Sequence, residues 1–446
     1  MSLKVSVSGI RGVVGTALDA ESLVRWASAY GQWLPAGPVV VARDSRPSGQ
    51  MVAAAVQAGL MSTGHDVIDA GLATTPTTEM LVQESDAVGG VIVTASHNPV
   101  EWNALKLLQH DGLFLSATEI DAVVKLESAS SREHKVALET GKLSYRDDGD
   151  ALHLSRILDI VDVEAIRAAN LRVVFDAVEG AGGRIIPELL DMLGVQHEDL
   201  YCGCTGHFPR DPEPRADHLQ ELAAKVAESG ADLGLAVDPD VDRLALIDRG
   251  GIALSEELTL ALVADFVLEK TPGPVVVNLS TTLAMDAVAR RHGVKLRRTP
   301  VGEANVVAAM LEEKAIIGGE GNGGVIYPTL HPGRDAVLGV ALVLAAVAAR
   351  GSLRAGLDRL PESAMVKVKI DLTDGMDDPS RWRSAVQSLG EGGEIDESDG
   401  VRYALADRWV HLRASNTEPV LRIISEAGTE NLAREIVDQV REALIR

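Results

Sequence analysis

The chain is short of cysteine, short of positive charge and without a long apolar run, and each lack removes a class of function. Its two cysteines, Cys202 and Cys204, are one residue apart. That spacing is poor for a structural disulfide, and with His207 they make only three of the four ligands a structural zinc needs. Two thiols in a reducing cytoplasm is the plain reading. No apolar run approaches the ~20 residues of a membrane span. The start, Met1 to Val7, passes straight into a strand-like pattern, so no signal peptide is expected. Lysine and arginine total 42 against 65 acidic residues, for a formal net charge of −23. That balance argues against general binding to nucleic acid or to an anionic membrane. An anionic substrate would need basic side chains gathered locally to reverse the global field.

What is present is a globular composition, 46% hydrophobic and 24% charged, with no low-complexity segment. The chain of 446 residues exceeds one ordinary core, and roughly 150 residues per domain suggests about three. Apolar runs alternate with amphipathic stretches. Val39–Ala42 reads as a strand, Gln50–Met61 as a helix, Asp66–Ala70 as a strand, Pro76–Gln83 as a helix and Val88–Val93 as a buried strand. This is a βαβ rhythm, which implies a mainly parallel sheet covered by helices. A second such unit opens at Leu171–Asp176, runs through the Gly180–Gly183 turn into a helix, and ends on the strand Leu233–Val237. A third begins near Glu256 with a helix, followed by strands at Pro274–Asn278 and up to Ile317. After about Ser363, four antiparallel strands are expected, at Val366–Leu372, Tyr403–Leu405, Trp409–Leu412 and Leu421–Ser425, and a helix at Glu430–Ile445 closes the chain. Three α/β units and one α+β unit follow, over residues 1–147, 148–252, 253–362 and 363–446. Ser144–Asp150 and Arg249-Gly250-Gly251 serve as boundary segments.

Chemistry concentrates in a few places. Thr94-Ala95-Ser96-His97-Asn98-Pro99 follows the strand Val88–Val93, and the Asn-Pro pair turns the chain, so Ser96 sits on a tight loop at a strand end. Alone, Ser96 reads as a capping or turn serine; its hydroxyl also suits a nucleophile or a phosphate carrier. His97 is either a base or a residue that holds the loop by hydrogen bonds. The strand Leu233–Val237 ends in Asp238-Pro239-Asp240-Val241-Asp242-Arg243, and ligands of parallel sheets gather at strand carboxyl ends. Three alternating carboxylates repel unless a cation sits among them, and magnesium prefers hard oxygen ligands. The stretch lacks the glycine and distal glutamate of an EF-hand loop. Arg243 offers a bidentate fork to a phosphate.

Gly318-Gly319-Glu320-Gly321-Asn322-Gly323-Gly324 is a glycine loop, where Glu320 and Asn322 can hydrogen-bond vicinal sugar hydroxyls. It lacks the spacing and the Lys-Ser/Thr of a P-loop. Arg413-Ala414-Ser415-Asn416-Thr417-Glu418-Pro419, with Arg422 shortly after, is a dense run of donors suited to a phosphate dianion. Arg11 lies between glycines in Ser8-Gly9-Ile10-Arg11-Gly12, which keeps it free to enter a cleft. Lys106, by itself, reads as a surface lysine.

Together, and in order from Ser8 to Arg422, these motifs resemble the α-D-phosphohexomutase family. Thr94–Pro99 looks like its phosphoserine loop, Asp238–Arg243 its metal loop, Glu320–Gly323 its sugar loop and Arg413–Pro419 its phosphate loop. Arg11 matches the arginine of its amino-terminal Gly-Ile-Arg-Gly motif. Arg43-Asp44-Ser45-Arg46-Pro47-Ser48-Gly49 matches a further signature, read here as mostly structural. The resemblance implies a four-domain architecture, three similar mixed α/β domains plus a C-terminal α+β domain around a central cleft. It implies that phosphorylated Ser96 exchanges its phosphoryl group with a hexose 6-phosphate or 1-phosphate through a hexose 1,6-bisphosphate, which also acts as activator. Mg2+ would be held by Ser96, Asp238, Asp240 and Asp242, with Arg11, His97, Lys106 and Arg243 around the transfer. Lys106 would fold back toward Ser96. Glu320, Asn322 and Gly323 would contact the sugar, and Arg413, Ser415, Asn416, Thr417 and Arg422 the distal phosphate. The implied partner is a small hexose phosphate, with the chain a cytoplasmic monomer or homodimer.

The chain departs from the family pattern at several positions. Many relatives carry Ser then Gly-His where this chain has Asn322, Gly323 and Gly324, so a histidine is missing, and His331 is the nearest source of an imidazole. Pro239 and Val241 stand where glycines are frequent, and Pro300 where several relatives have a lysine. The Asn-Gly-Gly variant looks more like a branch assigned to glucosamine phosphate, ahead of mannose and glucose phosphates. Two rival readings are a haloacid-dehalogenase-like phosphatase using Asp238, and a sugar-phosphate-binding protein on a mutase scaffold.

Overall fold

The computed structural model describes residues 3–129, 133–371, 378–414 and 420–445. The first layer of elements comprises β1 (Lys4–Ser6), β2 (Gly9–Val13), α1 (Ala20–Trp33), β3 (Val39–Arg43), α2 (Gly49–Ser62), β4 (Val67–Leu72), α3 (Thr75–Gln83), β5 (Gly89–Val93), β6 (Trp102–Gln109), α4 (Ala117–Glu127) and β7 (Leu143–Tyr145). Their strands form a seven-stranded sheet in the order β1-β2-β6-β5-β3-β4-β7. From β5 to β7 the pairing is parallel, while β1, β2 and β6 run antiparallel to their neighbours. The valines of β3 and β5 are buried because helices cover both faces of a parallel sheet. Leu23, Trp26 and Tyr30 of α1 and Val52, Val56 and Leu60 of α2 join them in one core. Side-chain caps set the helix starts. Asp19 and Ser22 form a capping box at α1, Ser116 and Glu119 another at α4, and Thr74 caps α3 ahead of Pro76.

The next elements are α5 (Gly149–Leu158), α6 (Val163–Ala168), β8 (Arg172–Asp176), α7 (Gly182–Met192), β9 (Gln196–Leu200), α8 (Gln220–Ser229), β10 (Leu233–Val237) and β11 (Leu244–Asp248). They build a four-stranded sheet ordered β11-β10-β8-β9, parallel except for β11. Every residue of β10 is buried, and the strand delivers the chain directly into Asp238.

Beyond it lie α9 (Glu257–Lys270), β12 (Val275–Asn278), α10 (Ala284–His292), β13 (Leu296–Thr299), α11 (Glu303–Glu313) and β14 (Ile317–Glu320), with β13 and β14 parallel to β12 on either side. An antiparallel pair follows, β15 (Gly324–Tyr327) and β16 (His331–Arg334). Helix α12 (Ala336–Arg350) is capped by Asp335 and buried through Val347, and α13 (Leu353–Leu357) ends this part of the chain.

The last elements are β17 (Ala364–Asp371), α14 (Pro379–Gln387), β18 (Glu394–Asp396), β19 (Val401–Ala404), β20 (Trp409–Ala414), β21 (Val420–Ala427) and α15 (Glu430–Ile445). The sheet is antiparallel, in the order β17-β21-β20-β19-β18. Val410, Leu412, Leu421 and Ile423 share a core with Trp382 of α14 and Val437 of α15, so the helices cover one face. The chain divides into two compact units, one holding the chain up to Thr259 plus Asn322–Ala355, the other Leu260–Gly321 plus the chain from Gly356. No helix among the described residues is long and apolar enough to cross a membrane.

Most expected elements stand within two residues of their place. Two expectations need correction. Ser144, taken as the start of a boundary segment, lies in β7, whose residues are all exposed and so carry no apolar signature. Gly318, Gly319 and Glu320 continue β14 as strand, which leaves only residues 321–323 between β14 and β15.

Candidate active site

Ser96 follows β5 on a loop whose backbone is unusual. Its φ is +49°, a left-handed conformation that non-glycine residues seldom adopt without outside support. Arg46 supplies that support. Its Nη2 donates to the carbonyls of Ser96 and Asn98, both at 2.6 Å, and its Nη1 to those of Pro99 (2.6 Å) and Trp102 (3.0 Å). Nε of the same guanidinium donates to Asp44 Oδ2, which also accepts from the Thr94 hydroxyl at 2.6 Å. Thr94 Oγ1 in turn accepts from Ser96 N. Arg46 is fully buried, so the stretch Arg43–Gly49 works as scaffolding for the serine loop.

Asp238, Asp240 and Asp242 converge beneath that loop. All three are wholly buried, and each offers a ligand atom within 4.8 Å of the others. Ser96 Oγ donates to Asp238 Oδ2 at 2.9 Å, and Asp238 Oδ1 accepts from the backbone N–H groups of Asp242 and Arg243. Lys106 Nζ lies 2.7 Å from Asp240 Oδ2 and 3.5 Å from Asp242 Oδ2. Thr75 donates to Asp240 Oδ2 from its hydroxyl at 2.7 Å, and Arg334 Nη2 lies 2.7 Å from Asp242 Oδ2. Val241 between them also has positive φ, +65°, which is strained for a β-branched residue.

The electrostatics follow from burial. Desolvation, then the charges of Asp242 and Asp240, push the Asp238 carboxyl well above the usual range. Burial would also raise Asp240, but the charge and hydrogen bonds of Lys106 and the Thr75 hydroxyl hold it far below. Burial would lower Lys106, yet Asp240 and Asp242 over-compensate and keep it charged. His97, with Nδ1 3.2 Å from Ser96 Oγ, is held neutral by burial and by the nearby charges of Arg243 and Arg11. Arg11 Nη1 donates to Asn98 Oδ1 at 2.5 Å, and Arg243 Nη1 pairs with Glu213 at 2.8 Å.

The donor set fits a small divalent cation. Asp240 Oδ1 and Asp242 Oδ1 are buried side-chain oxygens without a hydrogen-bond partner. Orphaned buried carboxylate oxygens are costly unless something positive meets them. Hard oxygen ligands close together are what magnesium requires.

Lys106 corrects an expectation. It is not the surface lysine its residue type alone suggests, and the chain does return it toward the serine loop, on a strand antiparallel to β5. It projects from β6, opposite Ile92 of β5, and is buried against the aspartates. His331 corrects another. It is buried, with Nδ1 3.4 Å from Glu79 and Nε2 3.3 Å from Asp335, so its ring is turned to interior carboxylates and cannot take the place of a sugar-facing histidine.

Glu320 Oε1 accepts from Asn278 Nδ2 (2.8 Å) and Gly302 N (3.0 Å), and Asn322 Oδ1 accepts from Gly324 N. Gly323 must be glycine. Its φ is +86°, and a Cβ there would stand 2.4 Å from the Leu244 carbonyl. Arg413 of β20 is in register with Arg422 of β21, and its Nε lies 3.3 Å from Asp399. Ser415, Asn416 and Thr417 lie outside the described residues. Cys202 and Cys204 are free, half-buried thiols whose pKa values burial pushes up. Sequence reasoning missed Thr75, Glu213 and Arg334. Thr75 carries a weak signal in the Thr74-Thr75-Pro76 helix start; the other two carry none, because nothing local marks a long-range ion pair.

A serine hydroxyl on a buried carboxylate triad, ringed by lysine and arginine, has the layout of enzymes that move phosphoryl groups by positioning and charge. The chain matches the models of the phosphoglucomutase/phosphomannomutase α/β/α domains I, II and III over residues 2–133, 151–251 and 256–363, and of the C-terminal domain over 367–443. It belongs to the phosphoglucomutase/phosphomannomutase family of isomerases, with three α/β domains and a C-terminal domain. Among its relatives is a phosphoglucomutase/phosphomannomutase of Thermococcus kodakarensis, 38% identical over 96% of each chain. A phosphoglucosamine/phosphogalactosamine mutase of Sulfurisphaera tokodaii is 30% identical over 97% of each. The crystal structure of a phosphoglucomutase/phosphomannomutase family protein from Burkholderia thailandensis superposes with a TM-score of 0.87 at 27% identity, covering 99% of this chain and 98% of that one.

Proposed function

We propose that the chain is a phosphohexomutase that interconverts hexose 6-phosphate and hexose 1-phosphate through phosphorylated Ser96 and a hexose 1,6-bisphosphate. The observation that carries this is the 2.9 Å contact of Ser96 Oγ with Asp238 inside the carboxylate triad. A substrate hydroxyl attacks the phosphorus on Ser96, the bond from phosphorus to Oγ breaks, and the departing Oγ takes up a proton. The bisphosphate so formed presents its other phosphate, and the reverse step returns a phosphoryl group to Ser96. Magnesium held by Asp238, Asp240, Asp242 and the phosphorylated serine would supply charge neutralisation at the transferring group. Lys106, Arg243 and Arg11 add fixed positive charge. Asp240 and Asp242 favour the charged form of Lys106, and neutral His97 lies within reach of Oγ and can relay the proton. By resemblance, Glu320, Asn322 and Gly323 meet the sugar, and Arg413, Ser415, Asn416, Thr417 and Arg422 the distal phosphate.

Glucosamine phosphate is the first substrate to try, on the Asn322-Gly323-Gly324 variant, and the relatives' names span both glucosamine and mannose or glucose chemistry. Comparing kcat/KM on the three sugar phosphates decides between them. The free thiols suit a reducing cytoplasm. The mutase reading is tested by intact mass after incubation with glucose 1,6-bisphosphate. One phosphate should appear, and it should be absent in Ser96→Ala. A Ser96→Ala protein that retains activity would instead favour a phosphatase acting through Asp238.

A further inference from the structure

Two of the three buried carboxylates hold one oxygen in a cationic clasp and leave the other without a hydrogen bond. Asp240 Oδ2 takes Lys106 Nζ and the Thr75 hydroxyl, while its Oδ1 has no hydrogen-bond partner. Asp242 Oδ2 takes Arg334 Nη2 at 2.7 Å and lies 3.5 Å from Lys106 Nζ, while its Oδ1 has no hydrogen-bond partner and faces Arg243 Nε at 3.7 Å. Asp238 Oδ1 is committed to two backbone N–H groups. A carboxylate clasped on one side can ligate a cation through a single oxygen only. That matters for the choice of cation. Calcium takes six to eight oxygens and readily accepts bidentate carboxylates, whereas magnesium requires a compact octahedron.

Arg334 is firmly mounted for this task. The next residue, Asp335, caps α12 by accepting from Leu338 N and also accepts from His153 at 2.8 Å. Ala336 N donates to the Val241 carbonyl, tying the start of α12 to the aspartate loop. The space for the arginine exists because position 324 is glycine. A Cβ there would stand 2.4 Å from Arg334 Cδ and 3.1 Å from Cγ.

We propose that Arg334, housed by Gly324, is a positioning residue that sets metal selectivity, confining Asp242 to one-oxygen ligation and so favouring Mg2+ over Ca2+. This rests on the reading that the aspartate triad holds a divalent cation. Removing the arginine's charge alters the electrostatic attraction for both cations about equally, since both carry two charges. Only the ratio of their affinities reports the ligation.

Isothermal titration of Mg2+ and of Ca2+ into the wild type, Arg334→Met and Gly324→Ala measures that ratio without recourse to activity. In Arg334→Met the Ca2+:Mg2+ affinity ratio should rise by about tenfold, because Asp242 Oδ2 then keeps only its longer 3.5 Å contact with Lys106 and can ligate alongside Oδ1. Gly324→Ala displaces the arginine without removing it and should move the ratio the same way, which keeps the test valid if Arg334→Met does not fold. A ratio unchanged in the folded variants, with Mg2+ still bound by the wild type, overturns the selectivity role and leaves the mutase reading intact. A wild type that binds neither cation overturns both.

Discussion

Ser96 Oγ and Asp238 Oδ2 lie 2.9 Å apart although the residues are 142 positions apart in the chain. The contact joins the end of a strand in the first sheet to the end of a strand in the second, and it places a hydroxyl on the carboxylate triad. If that triad binds magnesium, the ion should stabilise the folded chain by mass action, about 2.7 kcal/mol at a hundred times its Kd. Asp238→Asn should abolish the stabilisation. Thermal unfolding with and without MgCl2 checks this, and an equal shift in both proteins would contradict it.

Arg46 carries the strained serine loop. Its guanidinium satisfies four carbonyls and Asp44 in a fully buried position. Arg46→Met should cost about 3–5 kcal/mol, the usual consequence of breaking a buried ionic network. Arg46→Lys should recover only a small part, because an ammonium cannot reproduce the planar fork. Chemical denaturation of the two variants measures both.

Lys106 neutralises Asp240 and Asp242 from within the protein. Lys106→Met leaves buried Asp240 without its cation, while Asp242 keeps Arg334, and should destabilise the metal-free protein by about 3–5 kcal/mol. Magnesium should restore more stability to this variant than to the wild type. A Lys106→Met protein as stable as the wild type without metal would show that the pair contributes no more than a surface bridge.

His411 makes stability depend on pH. Burial, aided by Arg413 and Arg402 and opposed by Asp399, lowers its pKa from the ordinary 6.5 to about 4. In this window the unfolded chain binds a proton that the folded chain does not, so stability is full above pH 6.5 and falls as the pH drops toward 4. The contribution is about 3 kcal/mol once the lower limit is passed. His411→Gln should show a flatter stability curve between pH 6.5 and 4, recorded by thermal unfolding. Parallel curves for the two proteins would refute the assignment.

The sheet-forming strands β3, β5, β8, β10 and β12 were legible because strands buried on both faces are continuous apolar runs. Strand β6 was not, because Asn103 and Lys106 interrupt it with polar groups that only the folded site satisfies. Strand β7 was hidden for the opposite reason, being exposed throughout. The serine and aspartate motifs were visible as local spacings at strand ends. Their partners were not. Glu213 meets Arg243 across 30 residues, and Thr75 meets Asp240 across 165.

By itself, the sequence determined which residue types stand at the strand ends: a serine before an Asn-Pro turn, three alternating carboxylates, a glycine-rich return and an arginine-rich run. Those are properties of neighbours in the chain, and local conformation follows from them. Which cation clasps which carboxylate oxygen was decided by the tertiary structure alone. Arg334 reaches Asp242 across 92 residues because β16 is anchored beside the aspartate loop and Gly324 leaves room for the side chain. An ion pair in a buried site is fixed by strand register and by the volume left between elements, and neither is written in the spacing of a motif.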